Sequence, residues 1–91
     1  MIYDIEFSKT TRAEMVRLKR SEPSAFKKLM KMVEELRGHP TIGTGHPEPL
    51  TGDKPGQWSR RITRKHRLIY QVKEEDAVVY VLSAYGHYDD K

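Results

Sequence analysis

Glu48 stands between two prolines in the run His46-Pro47-Glu48-Pro49-Leu50. A residue before proline is pushed out of the α region, so His46 and Glu48 are both expected to be extended. The flanking prolines then hold a carboxylate at a set angle on a loop hinged by glycines. Such a group could take a proton, although the same residues would also suit a stiffened surface loop with a solvated glutamate. Arg60, Arg61, Arg64, Lys65 and Arg67 form a second group, in which planar guanidinium donors could clamp a phosphate. Between Lys54 and Lys73 there are seven Lys/Arg and no Asp or Glu, against ten basic and thirteen acidic residues elsewhere. The excess positive charge therefore lies in a stretch that otherwise reads as two strands, and charge on a rigid element is what a phosphate-binding surface needs. A solvated sheet face or a docking surface for an acidic partner is the plainer alternative. The third group is His87-Tyr88 near the C-terminus. Histidine exchanges a proton near neutral pH, as a phosphodiester leaving group requires, while alone it would be an ordinary solvated residue.

The elements that must position these groups follow from periodicity. Met1 to Phe7 places Tyr3, Ile5 and Phe7 on one parity, the pattern of a half-buried strand. Ser8 is a plausible N-cap for a helix to about Arg20, with Thr11, Met15 and Leu18 on one face. Ser21 and Pro23 open a second helix carrying Phe26, Leu29, Met30, Val33 and Leu36. Gly38 is expected to end it in the left-handed conformation, before His39-Pro40. Residues 41–56, rich in glycine and proline, read as a long loop. Gln57–Thr63 and His66–Val72 are strands around Arg64-Lys65, and Ala77–Ala84 is an apolar run expected to be covered on both faces. The order predicts an α+β fold: an N-terminal strand, a two-helix hairpin, then a three-stranded antiparallel meander, together a four-stranded sheet.

The register of the hairpin decides which arginines act together. A two-residue turn at Arg64-Lys65 pairs Ile62 with Arg67 and sends Arg61 to the opposite face. A three-residue turn or a bulge pairs Arg61 with Arg67 and gathers both on one face. Trp58 and Tyr70 suit the core, with base stacking as the alternative.

At 91 residues, the chain is expected to be one domain spanning 1–91. It has no cysteine, which excludes disulfides and thiolate metal sites and fits a cytoplasmic location. His39, His46 and His66 have no metal-ligand spacing to His87, and neither metal nor cofactor is expected. The N-terminus lacks a signal-peptide layout and no apolar run would span a membrane. A pI near 9.4 favours a polyanionic or acidic partner.

Four motifs in register, Gly43-Thr-Gly-His-Pro-Glu-Pro-Leu50, Gly56-Gln-Trp-Ser-Arg-Arg-Ile62, His66-Arg-Leu-Ile-Tyr70 and His87-Tyr88, resemble the Txe/YoeB toxins of the RelE-like superfamily. The resemblance implies a RelE-like fold and a toxin of a type II toxin–antitoxin system that cleaves mRNA on the ribosome. By the same resemblance Glu48 matches a general base, His87 a general acid, and Arg67 the arginine that stabilises the transition state. Tyr88 matches the terminal tyrosine of the site and Arg61 a second phosphate contact, while Arg60, Arg64, Lys65 and Lys54 would complete the RNA-binding surface. The implied partners are the ribosome and mRNA and a cognate antitoxin whose acidic segment folds on binding. A homodimer is a further assembly that the resemblance allows.

The chain departs from the family pattern at His46 and Thr51, where lysine and lysine or glutamine are usual. Its ending also differs, with Tyr85-Gly86-His87-Tyr88 followed by Asp89-Asp90-Lys91. A glycine before the histidine is expected to loosen its placement. Two rival readings use the same scaffold: a toxin that inhibits a protein such as DNA gyrase without cutting, and a plain RNA-binding module.

Overall fold

The computed structural model describes residues 1–51 and 54–86. Its elements are β1 (Asp4–Phe7), α1 (Lys9–Ser21), α2 (Pro23–Leu36), β2 (Glu48–Pro49), β3 (Gln57–Arg61), β4 (Arg67–Lys73), a 3-10 turn (Glu74–Asp76) and β5 (Val78–Ser83). The strands form one five-stranded sheet in the order β1-β5-β4-β3-β2. β1 pairs with β5 in parallel and the remaining pairs are antiparallel. This is the expected α+β arrangement with one strand more than the four anticipated. The addition is β2, where Glu48 lies opposite Ser59 and Pro49 opposite Trp58. A Pro-Glu-Pro segment can pair only briefly, because proline has no N–H for a ladder, and it does so at the sheet edge.

Ser8 caps α1 as its hydroxyl oxygen accepts from the Thr11 N–H at 3.0 Å, and the Thr11 hydroxyl donates to the Val81 carbonyl at 3.0 Å. The cap therefore also binds α1 to β5. A single residue, Glu22, closes α1 and opens α2, with Pro23 in the first turn where a missing N–H costs nothing. The buried stripe of α2 is Ala25, Leu29, Met32, Val33 and Leu36. Met30, expected inside, is exposed, because the stripe is centred on Leu29 and Met32. Gly38 is not left-handed; the helix ends in a tightened turn in which the Arg37 N–H donates to Glu34 and the His39 N–H to Glu35.

One core cluster joins Leu18, Leu29, Met32 and Leu36 of the helices to Leu68, Tyr70, Val79 and Val81 of the sheet. Each such aliphatic side chain contributes about 1.5–3 kcal/mol by leaving water. β5 is buried on the Val79/Val81 parity only, and Val78, Tyr80 and Leu82 remain half-exposed. Its apolar run reflects an interior place in the sheet, with β1 and β4 on either side, and not cover on both faces. Among the described residues no helix is long and apolar enough to cross a membrane.

Candidate active site

The two neighbouring arginines of β3 go opposite ways. Arg60 points inward and is fully buried. All five of its N–H groups are engaged: Nε donates to the Tyr70 hydroxyl (3.1 Å), Nη1 to Glu35 Oε1 (2.7 Å) and the Thr44 carbonyl (3.2 Å), and Nη2 to the carbonyls of His39 (2.9 Å) and Ile42 (2.8 Å). The Tyr70 hydroxyl in turn donates to the Pro40 carbonyl at 2.6 Å. Glu35 also accepts from the Thr44 N–H (2.8 Å) and hydroxyl (2.6 Å). Burial pushes the Glu35 carboxyl up, but the Thr44 donors and the Arg60 guanidinium outweigh it and hold the group below its ordinary value. Burial raises the Tyr70 hydroxyl above its ordinary value, partly offset by the Arg60 hydrogen bond. The loop from His39 to Thr44 is thus wound around one guanidinium. Arg60 was expected on the phosphate-binding surface; it is instead an interior brace with no donor left for a ligand.

That brace delivers the chain to Gly45, whose carbonyl accepts from the Arg61 N–H at 2.7 Å. Gly45 has φ +88°, and a Cβ there would sit 2.6 Å from Met32 Sδ and 2.9 Å from the Arg61 carbonyl oxygen. Only glycine fits this approach. His46 follows at φ +58°, not in the extended form expected before a proline. The turn through both residues is what brings Glu48 alongside Ser59.

The hairpin resolves the register question. The Ile62 N–H donates to the His66 carbonyl at 3.0 Å, leaving Thr63, Arg64 and Lys65 as the turn, and Arg61 lies directly opposite Arg67. The Thr63 hydroxyl oxygen closes the turn by accepting from the N–H groups of Lys65 and His66, both at 3.1 Å. Arg61 and Arg67 therefore share a face. Like charges directly opposite in a sheet are destabilising. Among the described residues neither guanidinium has an acceptor in the protein, so the pair is open to an anion.

Both arginines line an open cleft of about 590 Å³ with Lys28, Gly45, His46 and Glu48. The Glu48 carboxylate is half in solvent and its Oε2 lies 3.3 Å from His46 Nε2. The cleft thus combines an accessible carboxylate with three cations on rigid elements. This can take a proton and balance charge developing on a phosphate. Arg64 and Lys65 lie exposed at the turn, with Lys65 Nζ 3.7 Å from Glu22. Lys54 precedes β3 at the end remote from the turn, where its carbonyl accepts from the Gln57 N–H. Tyr70 is core and Trp58 is half-buried against it. His87 and Tyr88 lie outside the described residues.

Lys28 was not foreseen. It is one of three lysines on α2, and only its position off the buried stripe marks it. Glu35 and His66 were also missed. An inward-facing histidine beside Arg67 needs polar partners, and that was the available signal.

A model of the YoeB-like toxins of bacterial type II toxin–antitoxin systems matches residues 7–88. Over 62 residues, 68% of this chain and 71% of the relative, the sequence is 39% identical to the toxin YoeB of Mycobacterium bovis. The fold is similar to that of a YoeB/ParE toxin from Agrobacterium tumefaciens, with a TM-score of 0.85 and 29% identity over 93% of this chain and 99% of that one. It is also similar to Staphylococcus aureus YoeB solved as a dimer, with a TM-score of 0.82 and 28% identity over 97% of this chain and 100% of that one. A chain of the heterotetrameric YoeB–YefM toxin–antitoxin complex from the same organism gives a TM-score of 0.79 and 27% identity over 97% and 100%.

Proposed function

The chain belongs to the YoeB-like toxins of bacterial type II toxin–antitoxin systems, and on that premise we propose that it is an endoribonuclease cutting mRNA on the ribosome by metal-independent acid–base chemistry. Glu48 removes the proton from a ribose 2′-hydroxyl, and the freed oxygen attacks the adjacent phosphate in line. Arg67 and Arg61 balance the negative charge that accumulates on the phosphate. His87 protonates the departing 5′-oxygen, with Tyr88 beside it in the chain. The products are a 2′,3′-cyclic phosphate, or its hydrolysis product, and a 5′-hydroxyl.

The observation that carries this reading is the convergence of Glu48, Arg61 and Arg67 on one open cleft, with the two guanidinium groups free of protein acceptors among the described residues. A surface serving only to bind RNA would need the cations but no carboxylate among them. Arg64 and Lys65 at the turn, with Lys54 before β3, extend the positive surface toward ribosomal and messenger phosphates. The partners of the single domain, acting in the cytoplasm, are the ribosome, mRNA and a cognate antitoxin with an acidic segment that folds on binding. A YefM antitoxin complex and a dimer are both known for the Staphylococcus aureus YoeB.

The test is the chemistry of the product ends on ribosomes programmed with a defined mRNA. Cyclic phosphate and 5′-hydroxyl ends are expected, with cleavage abolished by a single 2′-deoxy substitution at the cut nucleotide. Cleavage that survives the deoxy substitution would rule out 2′-hydroxyl attack. Absence of any cleavage, with DNA damage on expression, would favour a gyrase-directed binder.

A further inference from the structure

We infer that His66, held by Glu22, is a positioning residue for the proposed general acid: it anchors the backbone at Gly86, the residue from which His87 departs. This rests on the nuclease reading above.

His66 is buried to 1% exposure, yet both ring nitrogens are engaged. The Gly86 N–H donates to Nδ1 at 2.8 Å, and Nε2 lies 2.7 Å from Glu22 Oε2. Because an amide donates to Nδ1, that nitrogen carries no proton, so the neutral ring keeps its proton on Nε2 and donates it to Glu22. The ring also lies against Tyr85, centroids 4.3 Å apart, and the Arg17 guanidinium sits 4.3 Å from the same Tyr85 centroid.

Glu22 is a firm support. As the residue between α1 and α2, it donates its N–H to the Leu18 carbonyl at 2.8 Å and accepts from the Phe26 N–H at 3.0 Å. The hydrogen bond from His66 is the largest influence holding its carboxyl below the ordinary value, with Lys65 adding to it.

The Gly86 carbonyl accepts from the Arg67 N–H at 2.9 Å, so both backbone polar groups of Gly86 are tied down. Two residues earlier, the Ala84 N–H donates to Glu14 Oε1 at 2.8 Å. Gly86 is therefore held at both of its backbone groups, while the placement of His87, which this glycine is expected to loosen, lies outside the described residues. Its φ of +83° demands glycine on conformational grounds, since a Cβ would meet open space. The nitrogen of His87 is bonded to the carbonyl carbon whose oxygen accepts from Arg67. The residue that precedes the proposed acid is thus tied to the backbone of the transition-state arginine, and His66 holds that residue's amide. Filling the core would need only an apolar side chain of this size; an acceptor aimed at Gly86 is what distinguishes histidine here.

Two substitutions separate the roles of the nitrogens. His66→Asn keeps an acceptor at the δ position for the Gly86 N–H, whereas His66→Gln reaches toward Glu22 and lacks it. In single-turnover cleavage on programmed ribosomes, His66→Gln is expected to slow the chemical step about 10- to 100-fold, the scale of a small misplacement. Ribosome affinity should stay within about twofold, and His66→Asn should keep its rate within about fivefold. Amide exchange at Gly86 should be slow in wild type and His66→Asn and fast in His66→Gln. Equal rates in the two variants, or losses that track their melting temperatures, overturn the inference. If wild type itself does not cleave, the nuclease reading fails and the catalytic role of His66 fails with it; Gly86 exchange unchanged in His66→Gln sinks the anchor independently. Should His66→Gln not fold, Glu22→Ala takes its place: slower cleavage at unchanged affinity supports positioning, and an unchanged rate overturns it.

Discussion

Arg60 and Arg61 are chemically identical and adjacent, yet one holds the fold together and the other faces the cleft. Arg60 has every N–H satisfied by protein oxygen and no exposure, while Arg61 stands opposite a like charge with no acceptor among the described residues. The difference lies in sheet parity alone. A count of basic residues therefore overstates the charge available to a ligand, and the remaining charge is better placed for the interior brace behind it.

The largest contrast should appear on truncating each arginine. Arg60→Ala leaves Glu35 without its buried counter-charge and three loop carbonyls without donors, at a cost of about 3–5 kcal/mol. A fall in melting temperature of roughly 15 °C or more is expected, using about 4–8 °C per kcal/mol for a domain of this size. Arg60→Lys should not rescue it, because an ammonium has three donors for the five acceptors present. A melting temperature within a few degrees of wild type for either variant would show that Arg60 does not brace the loop.

Arg67→Ala should do the reverse. Cleavage on the ribosome falls by roughly 10²- to 10³-fold, the scale of losing one electrostatic contact to a transition state. Its melting temperature should hold or rise slightly as the like-charged pair is relieved. Loss of fold in Arg67→Ala would break the distinction between the two faces.

Acid sharpens the same contrast. The folded Glu35 carboxyl lies below its ordinary value of 4.5, so its stabilisation is fully present above that value and is lost as pH falls through the folded one. Melting temperature should therefore decline below about pH 4.5 in wild type, and Glu35→Gln should be less stable near neutrality with a shallower decline. Identical slopes would show that the brace does not depend on an ionised Glu35.

The smallest effect belongs to the turn. Arg64→Gln and Lys65→Gln should each weaken ribosome binding modestly and reduce the salt dependence of log affinity by about one, with the single-turnover rate unchanged. A large drop in that rate would move these residues from the rim into the cleft.

Much of this was legible in the chain. The helices, the three long strands and the residue types of the cleft follow from periodicity and from the Pro-Glu-Pro and basic motifs. The hairpin left two registers open, and the contact between Ile62 and His66 selects the one that unites Arg61 with Arg67. What was not legible depends on contacts between distant residues. The parity that Arg60 shares with Trp58 and Ile62 is its one local mark, but the partner that satisfies it is Glu35 on α2, and the Gly86 amide that makes His66 useful is equally remote. His46 was misjudged because a local rule about prolines yielded to the need for Gly45 to meet the Arg61 N–H. β2 escaped notice because a two-residue strand has no periodicity to read.

Acid–base cleavage in the cleft requires Glu48 as the base. It is tested most directly by the single-turnover rate of Glu48→Gln on mRNA-programmed ribosomes, measured against wild type at equal occupancy. A loss of roughly 10²- to 10⁴-fold is expected, with unchanged melting temperature and ribosome affinity. Cleavage at the wild-type rate by a folded, bound Glu48→Gln protein would contradict it.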